Sequence, residues 1–242
     1  MAEALHASSN EVQLIAVDLD ARSPRYDSDV AALTPPERDR AQRIRVEWVR
    51  RRFVAARAFL RERLSIEARV ESAKLRLEEG PHGKPFLAEP RIDPPLEFNL
   101  SHSAGIALVA ICRGRPVGAD VEHLRSDADL EALARRFFSP QERESLLALP
   151  AEDRQRAFFA CWTRKEAYIK ALGLGLSIPL DRFDVRLDWQ CEDALLCDRG
   201  DPGATSRWRI TSIDLGPSVA AAVAVAAGPH EAITYRLERR LT

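Results

Sequence analysis

The chain has 242 residues, of which 45% are hydrophobic and 30% charged, with a formal net charge of −1; this is the balance of a globular protein with room for one large domain or two of about 120 residues. Near-neutral charge excludes a bulk electrostatic attraction to nucleic acid or to a membrane surface. The four cysteines (Cys112, Cys161, Cys191, Cys197) are too few and too irregularly spaced for a disulfide framework, and the opening MAEALHASSNEV has no basic-then-apolar leader pattern. A reducing, cytoplasmic location is therefore the expectation.

In chain order, QLIAVDL (13–19) predicts a first strand. Thr34-Pro-Pro-Glu37 is a capping box with proline in the first turn, and it predicts a helix start. Phe53, Ala56, Phe59, Leu60 and Leu64 then fall at helical spacing. From Arg38 to Arg63 ten arginines stand against three acids (Asp39, Glu47, Glu62), most simply a solvated helix face with some members free to meet phosphate or protein. LRLEEGPHGKPFL reads as strand, turn, strand, and Pro90 to Pro95 as a connection. FNLSHSAGIALVAICRGRPVGADVE reads as two strands around a turn at Arg113 to Pro116.

Further on, Ser139-Pro-Gln-Glu142 is a second capping box. The residues from Asp153 to Leu172 form the strongest helical pattern in the chain, and Gly173 and Gly175 stop it. FDVRLDW, WRITSIDL and SVAAAVAVAA are the closing strands. The last of these holds the longest apolar run, too short to span a bilayer. This order suggests two similar α+β halves meeting near residue 116, although no tandem sequence repeat accompanies it.

The chemistry concentrates in VGADVEHLR (117–125). Side chains alternate along a strand, so Asp120 and Glu122 share one face, their Cα atoms about 7 Å apart, while Val121 takes the other. Like charges that close require neutralisation. Glu166, in CWTRKEAYIKALGLGL, shares a helical stripe with Trp162 and Lys170. Three carboxylates from a strand and a helix would suit a hard cation, and Mg²⁺ is preferred to Zn²⁺ because no His or Cys has ligand spacing here. Such a site serves phosphoryl or pyrophosphate chemistry. Phosphates would need basic ligands: Lys84 in the GPHGKP turn, Ser101, His102 and Ser103 in FNLSHS, and the arginine segment are the candidates. A turn lysine is usually just solvated and a lone histidine more often structural. Glu142 is fully explained as the N3 residue of its capping box, which is its preferred role, with general base as the alternative. Trp162 reads as a packing residue.

In this order and separation GKP (83–85), FNLSHS (98–103), VGADVE (117–122), RFFSPQE (136–142) and WTRKEAYIKALGLGL (162–176) resemble the 4′-phosphopantetheinyl transferases of the surfactin-synthetase-activating type. The resemblance runs from about Leu33 to Asp184 and is carried by the VG-x-D-x-E and W-x-x-KEA-x-x-K pair. It implies an α+β pseudo-dimer of two similar halves, divided as 1–116 (coenzyme A phosphate and nucleotide contacts) and 117–242 (metal ligands and catalytic helix), with the active site in the cleft between them. It also implies transfer of phosphopantetheine from coenzyme A to a serine of an apo acyl, polyketide or peptidyl carrier protein, with release of adenosine 3′,5′-bisphosphate. By position, Asp120, Glu122 and Glu166 match Mg²⁺ ligands, with Mn²⁺ as the substitute ion. Lys170 matches a lysine at the pyrophosphate, Lys84, Ser101 and His102 match coenzyme A phosphate contacts, and Lys165 matches a lysine of the same helix. Arg40 and Arg52 fall near nucleotide-holding basic positions in a loose alignment. The serine proton would go to a carboxylate, with Glu166 and Glu142 as the candidates, or to a metal-bound water. The expected partners are coenzyme A and the carrier, with no nucleic acid and no membrane, for a monomer with internal pseudo-two-fold symmetry. Two competing readings are a non-catalytic basic protein that binds an acidic partner or nucleic acid, and a metal-dependent pyrophosphate hydrolase.

Overall fold

In the computed structural model, which describes residues 10–125, 129–191 and 193–241, two β-sheets pack face to face and each carries one long helix on its outer side. The first half comprises β1 (Glu11–Asp18), α1 (Tyr26–Ala32), α2 (Pro35–Arg43), α3 (Glu47–Ala68), β2 (Arg76–Glu79), β3 (Pro85–Glu89), β4 (Leu96–Ser103) and β5 (Ile106–Arg113). The second comprises β6 (Val117–His123), α4 (Leu130–Phe137), α5 (Pro140–Ala148), α6 (Ala151–Leu172), β7 (Phe183–Val185), β8 (Leu195–Asp198), α7 (Ala204–Arg207), β9 (Trp208–Ser212) and β10 (Val219–Ala226), and β11 (Thr234–Arg240) ends the chain. The sheets run β11-β1-β5-β4 and β6-β10-β9, with β2-β3 and β7-β8 as separate two-stranded ribbons. This is an α+β fold of two halves.

Strand alternation sorts the core. On β1, Ile15 and Val17 face α3, where they meet Ala56, Phe59, Leu60 and Leu64. Val12, Leu14 and Ala16 face the other sheet and pack with Val117, Ala119, Val121, Val223 and Val225. On β6 the residues between those valines and alanine are Gly118, Asp120 and Glu122, so the acids point toward the α6 side, as the alternation predicts.

The two halves are built alike in detail that composition does not reveal. Both capping boxes form, Thr34 with Glu37 and Ser139 with Glu142. Both are followed by a 22-residue helix that ends on a left-handed residue, Arg69 or Gly173. In both halves the cap glutamate meets a buried base on that helix. Glu37 lies 3.6 Å from Arg61, which donates to the carbonyls of Ser72 and Leu75. Glu142 lies 2.8 Å from Lys165, which donates to the carbonyls of Leu180 and Phe183.

Three features depart from the sequence reading. The segment 96–123 is three strands, not two, because Ala104 and Gly105 make an extra two-residue hairpin turn between the paired Ser103 and Ile106, both with positive φ (47° and 93°). Such a turn favours Asn-Gly or Asp-Gly, and Ala-Gly does not advertise it. Strand β8 is short, and β11 (TYRLERR) is a charged edge strand without a continuous apolar face. β11 also pairs in parallel with β1, so the last strand crosses the expected division at 116/117 and completes the first half's sheet.

Candidate active site

β4 and β6 are facing edges of the two sheets, and α6 lies directly on β6. The helix comes this close because Gly118 has no side chain: a Cβ there would stand 2.2 Å from the carbonyl oxygen of Ala167 and 2.3 Å from the nitrogen of Ala171. Each of these alanines directly follows a chemical residue, Glu166 or Lys170. Close backbone contact at Gly118 therefore brings Glu166 and Lys170 over Asp120 and Glu122.

Asp120 is 3% exposed. Its Oδ1 accepts from Lys170 Nζ at 2.5 Å and from Ser101 Oγ at 2.7 Å, and Lys170 also donates to Ser101 Oγ at 3.2 Å. Glu122 accepts from Ser103 Oγ at 2.7 Å. Burial pushes the carboxyl of Asp120 up from its ordinary value even beside Lys170. Burial and then the charge of Asp120 act in the same direction on Glu122, opposed by the Ser103 hydrogen bond. Glu166 is pushed up by burial and by both other acids, with Lys170 opposing. The three carboxylates feel one another, and one lysine leaves two negative charges among them.

Among the described residues no group of three or more His, Cys, Asp or Glu side chains is drawn tightly enough to enclose a metal ion; the Lys170 ammonium sits against Asp120 instead. The donor set nonetheless fits a hard divalent cation. It is all oxygen, its excess charge equals that of one such ion, and Asp120 Oδ2 is buried with no hydrogen-bond partner among the described residues.

The basic candidates are divided. Arg52 makes a bidentate pair with Asp20 (2.8 and 2.6 Å) beside the Gly105 turn. Desolvation, then the Lys170 and Arg52 cations, hold the His102 imidazole below its usual range. Ser101 joins Asp120 and Lys170. Lys84 does not present a free ammonium: it donates to the carbonyls of Val117 (3.0 Å) and Ala171 (3.1 Å), bracing the hairpin turn against β6 and the end of α6. Arg40 lies toward Glu79 and over the Phe53 ring. Trp162 packs edge-on against Phe137 and stacks near Phe158, a packing role.

Glu142 and Lys165 are not brought to the acids. Glu142 is 2% exposed and Lys165 fully buried. Besides its partner, Glu142 accepts from the backbone N–H of Ser139 and of Val185 (both 2.9 Å). Lys165 spends its protons on Glu142 and two carbonyls, so neither a base nor a coenzyme contact is available from this pair. The Glu37–Arg61 twin in the other half repeats the same architecture, a capping-box glutamate paired with a buried cation that donates to loop carbonyls, as a structural brace would. Lys165→Met, which strands a buried carboxylate, should lower unfolding free energy by about 3–5 kcal/mol. Urea denaturation checks this, and the rate per folded molecule should stay near wild type.

The sequence profile described as the 4′-phosphopantetheinyl transferase superfamily matches residues 116–226, and one described as the N-terminal region of 4′-phosphopantetheinyl transferase matches residues 20–113. The 4′-phosphopantetheinyl transferase HetI of Nostoc sp. is 41% identical over 179 residues, covering 74% of this chain and 75% of that protein. The 4′-phosphopantetheinyl transferase Sfp of Bacillus subtilis is 32% identical over 155 residues, covering 64% and 66%. A solved holo-[acyl-carrier-protein] synthase of Thermotoga maritima aligns with 47% of this chain and 63% of its own at a TM-score of 0.38 and 22% identity.

Proposed function

The chain belongs to the 4′-phosphopantetheinyl transferase superfamily, enzymes that attach phosphopantetheine to carrier proteins, and we propose that this one takes the group from coenzyme A, uses Mg²⁺, and releases adenosine 3′,5′-bisphosphate. The observation that carries this reading is the convergence of Asp120, Glu122, Glu166 and Lys170 on one seam, with a buried, unpartnered oxygen on Asp120.

In this reading a carrier serine hydroxyl attacks the phosphorus on the pantetheine side of the diphosphate. The bond to the bridging oxygen breaks, and the bisphosphate leaves with that oxygen. Asp120, Glu122 and Glu166 would hold Mg²⁺, which when bound spreads the negative charge that grows on the diphosphate oxygens. Lys170 reaches the departing phosphate as a cationic donor. The serine proton passes to Glu166, because Glu142 is closed off by its own pairings. Arg52 and His102, the latter gaining a proton as the phosphate arrives, form the end where the 3′-phosphate rests, and Ser101 holds Asp120 and Lys170 in register. The enzyme works in the cytoplasm as a monomer.

Mass spectrometry of a panel of apo carrier proteins incubated with coenzyme A and Mg²⁺ tests the reaction. A mass gain of one phosphopantetheine on the carrier is expected. Consumption of coenzyme A with no gain on any carrier points to a hydrolase instead, and salt-sensitive binding without turnover points to a basic binding protein.

A pH dependence follows from His102. Its pKa in the free protein lies below the usual imidazole value, so at neutral pH the ring is mostly uncharged. A phosphate beside it raises that pKa, so coenzyme A binding takes up a proton. The added affinity is full below the free-state pKa and fades as pH rises through the bound-state pKa. Coenzyme A affinity should therefore weaken in wild type as pH rises from mildly acidic through neutral. It should be flat for His102→Ala or for dephospho-coenzyme A, and calorimetry across that range reads it.

A further inference from the structure

β4 and β6 meet through side chains. Asn99 Oδ1 accepts from the N–H of Ala119 (3.0 Å), Ser101 Oγ from that of Val121 (3.4 Å) and Ser103 Oγ from that of His123 (3.3 Å). The spacing is two residues on both strands, so one face of β4 satisfies the free edge of β6 where no neighbouring backbone does. The three rungs differ in what else they do. Asn99 makes no hydrogen bond to an acid of the cluster among the described residues. A serine hydroxyl has a single proton, and the proton of Ser103 goes to Glu122 Oε2 at 2.7 Å. With one of its two lone pairs taken by the His123 N–H of β6, the strand that carries Glu122, that hydroxyl is held in rotation and keeps one oxygen of Glu122 at a set place.

We propose that Ser103 is a positioning residue that fixes the carboxylate of Glu122 for the cation, an inference that rests on the metal reading above. It acts through Glu122 and touches no reacting atom. Ser103 lies beside the Ala104–Gly105 turn and is only partly buried, so its replacement is tolerable to the fold. Loss of an outer-shell hydrogen bond to a metal ligand weakens metal affinity by about 10–100-fold.

The test uses Mn²⁺ as the probe, bound to the full chain in the presence of coenzyme A and followed by electron paramagnetic resonance. Ser103→Ala should raise the Mn²⁺ dissociation constant by about 10–100-fold, and Ser103→Thr, which keeps the hydroxyl, should restore it to within a few-fold. Asn99→Ala, which removes a rung without touching an acid, should lower the melting temperature and leave Mn²⁺ affinity unchanged. In turnover, Ser103→Ala should need more Mg²⁺ for half-maximal rate and recover most of kcat at saturating Mg²⁺. Wild-type affinity in Ser103→Ala overturns the positioning role alone, as does an equal loss in Asn99→Ala. Wild-type protein that takes up no Mn²⁺ overturns this role together with the metal reading.

Discussion

Asp120→Asn should abolish carrier modification while leaving the free protein at least as stable as wild type. The functional half follows from the position of Asp120: it is the most enclosed acid of the cluster, touches Lys170 and Ser101, and carries the unpartnered oxygen. Removing its charge leaves Lys170 without its acid and the cation without its most buried ligand. Charge stabilisation of several kcal/mol at one decade per 1.36 kcal/mol sets the expected loss at roughly 10³-fold or more in kcat. The stability half follows from sign. Burial outweighs Lys170 and raises the folded-state pKa of Asp120 above the unfolded value, so the folded state binds more protons in that window. Stability is then highest below the unfolded pKa and falls as pH rises toward and through the folded one. As pH rises toward neutral wild type loses stability in this way, and Glu122 and Glu166 are shifted in the same direction. Asparagine cannot ionise and escapes it. Thermal melts from pH 4 to 8 should show the two proteins diverging in favour of the variant as pH rises. Near-normal turnover in Asp120→Asn would remove the acid cluster from the mechanism. A variant that melts well below wild type at pH 7 would mean that the Asp120–Lys170 pair stabilises the fold.

The same opposition explains which parts of the molecule the sequence displays. Capping boxes are local chemistry, so Thr34-Pro-Pro-Glu37 and Ser139-Pro-Gln-Glu142 announce α2 and α5, and glycines 173 and 175 announce the end of α6. Alternation is local too, which is why Asp120 and Glu122 fall on one face as expected. Other features depend on contacts far apart in the chain. Lys165 follows the same helix as Glu166, and only its depth of burial tells a core cation from a cleft cation. Lys84 sits in a turn typical of a phosphate contact, yet its ammonium finds two backbone carbonyls 33 and 87 residues away. The likeness of Glu142–Lys165 to Glu37–Arg61 requires both halves folded, because one base is lysine and the other arginine. β11 carries charges on an edge strand, where the pattern of a buried strand is missing. The serine rungs between β4 and β6 are legible only once those two edges face each other.

Gly118→Ala should have the largest effect on the fold of any single methyl addition in this site. The new Cβ would lie 2.2 Å from Ala167 O and 2.3 Å from Ala171 N, with the Ala171 Cα at 2.9 Å. These are backbone atoms of a 22-residue helix, so no side-chain rotation relieves them, and either β6 or α6 has to move. Overpacking of a core costs about 1–3 kcal/mol when side chains yield, and occasionally more; here the rigid partner puts the cost at the top of that range or beyond. Any relief separates Asp120 and Glu122 from Glu166 and Lys170, so protein that still folds should lose transfer activity as well as stability. Gly80→Ala is the matched control, because its Cβ would meet only the Lys84 carbonyl oxygen at 3.5 Å, an ordinary contact, and it should change stability by no more than about 0.5 kcal/mol. Urea unfolding of both variants, with turnover per folded molecule, separates the effects. If Gly118→Ala unfolded at the wild-type urea concentration and still modified carrier, then α6 does not rest on β6 at this point, and the seam that gathers the acids is misdrawn.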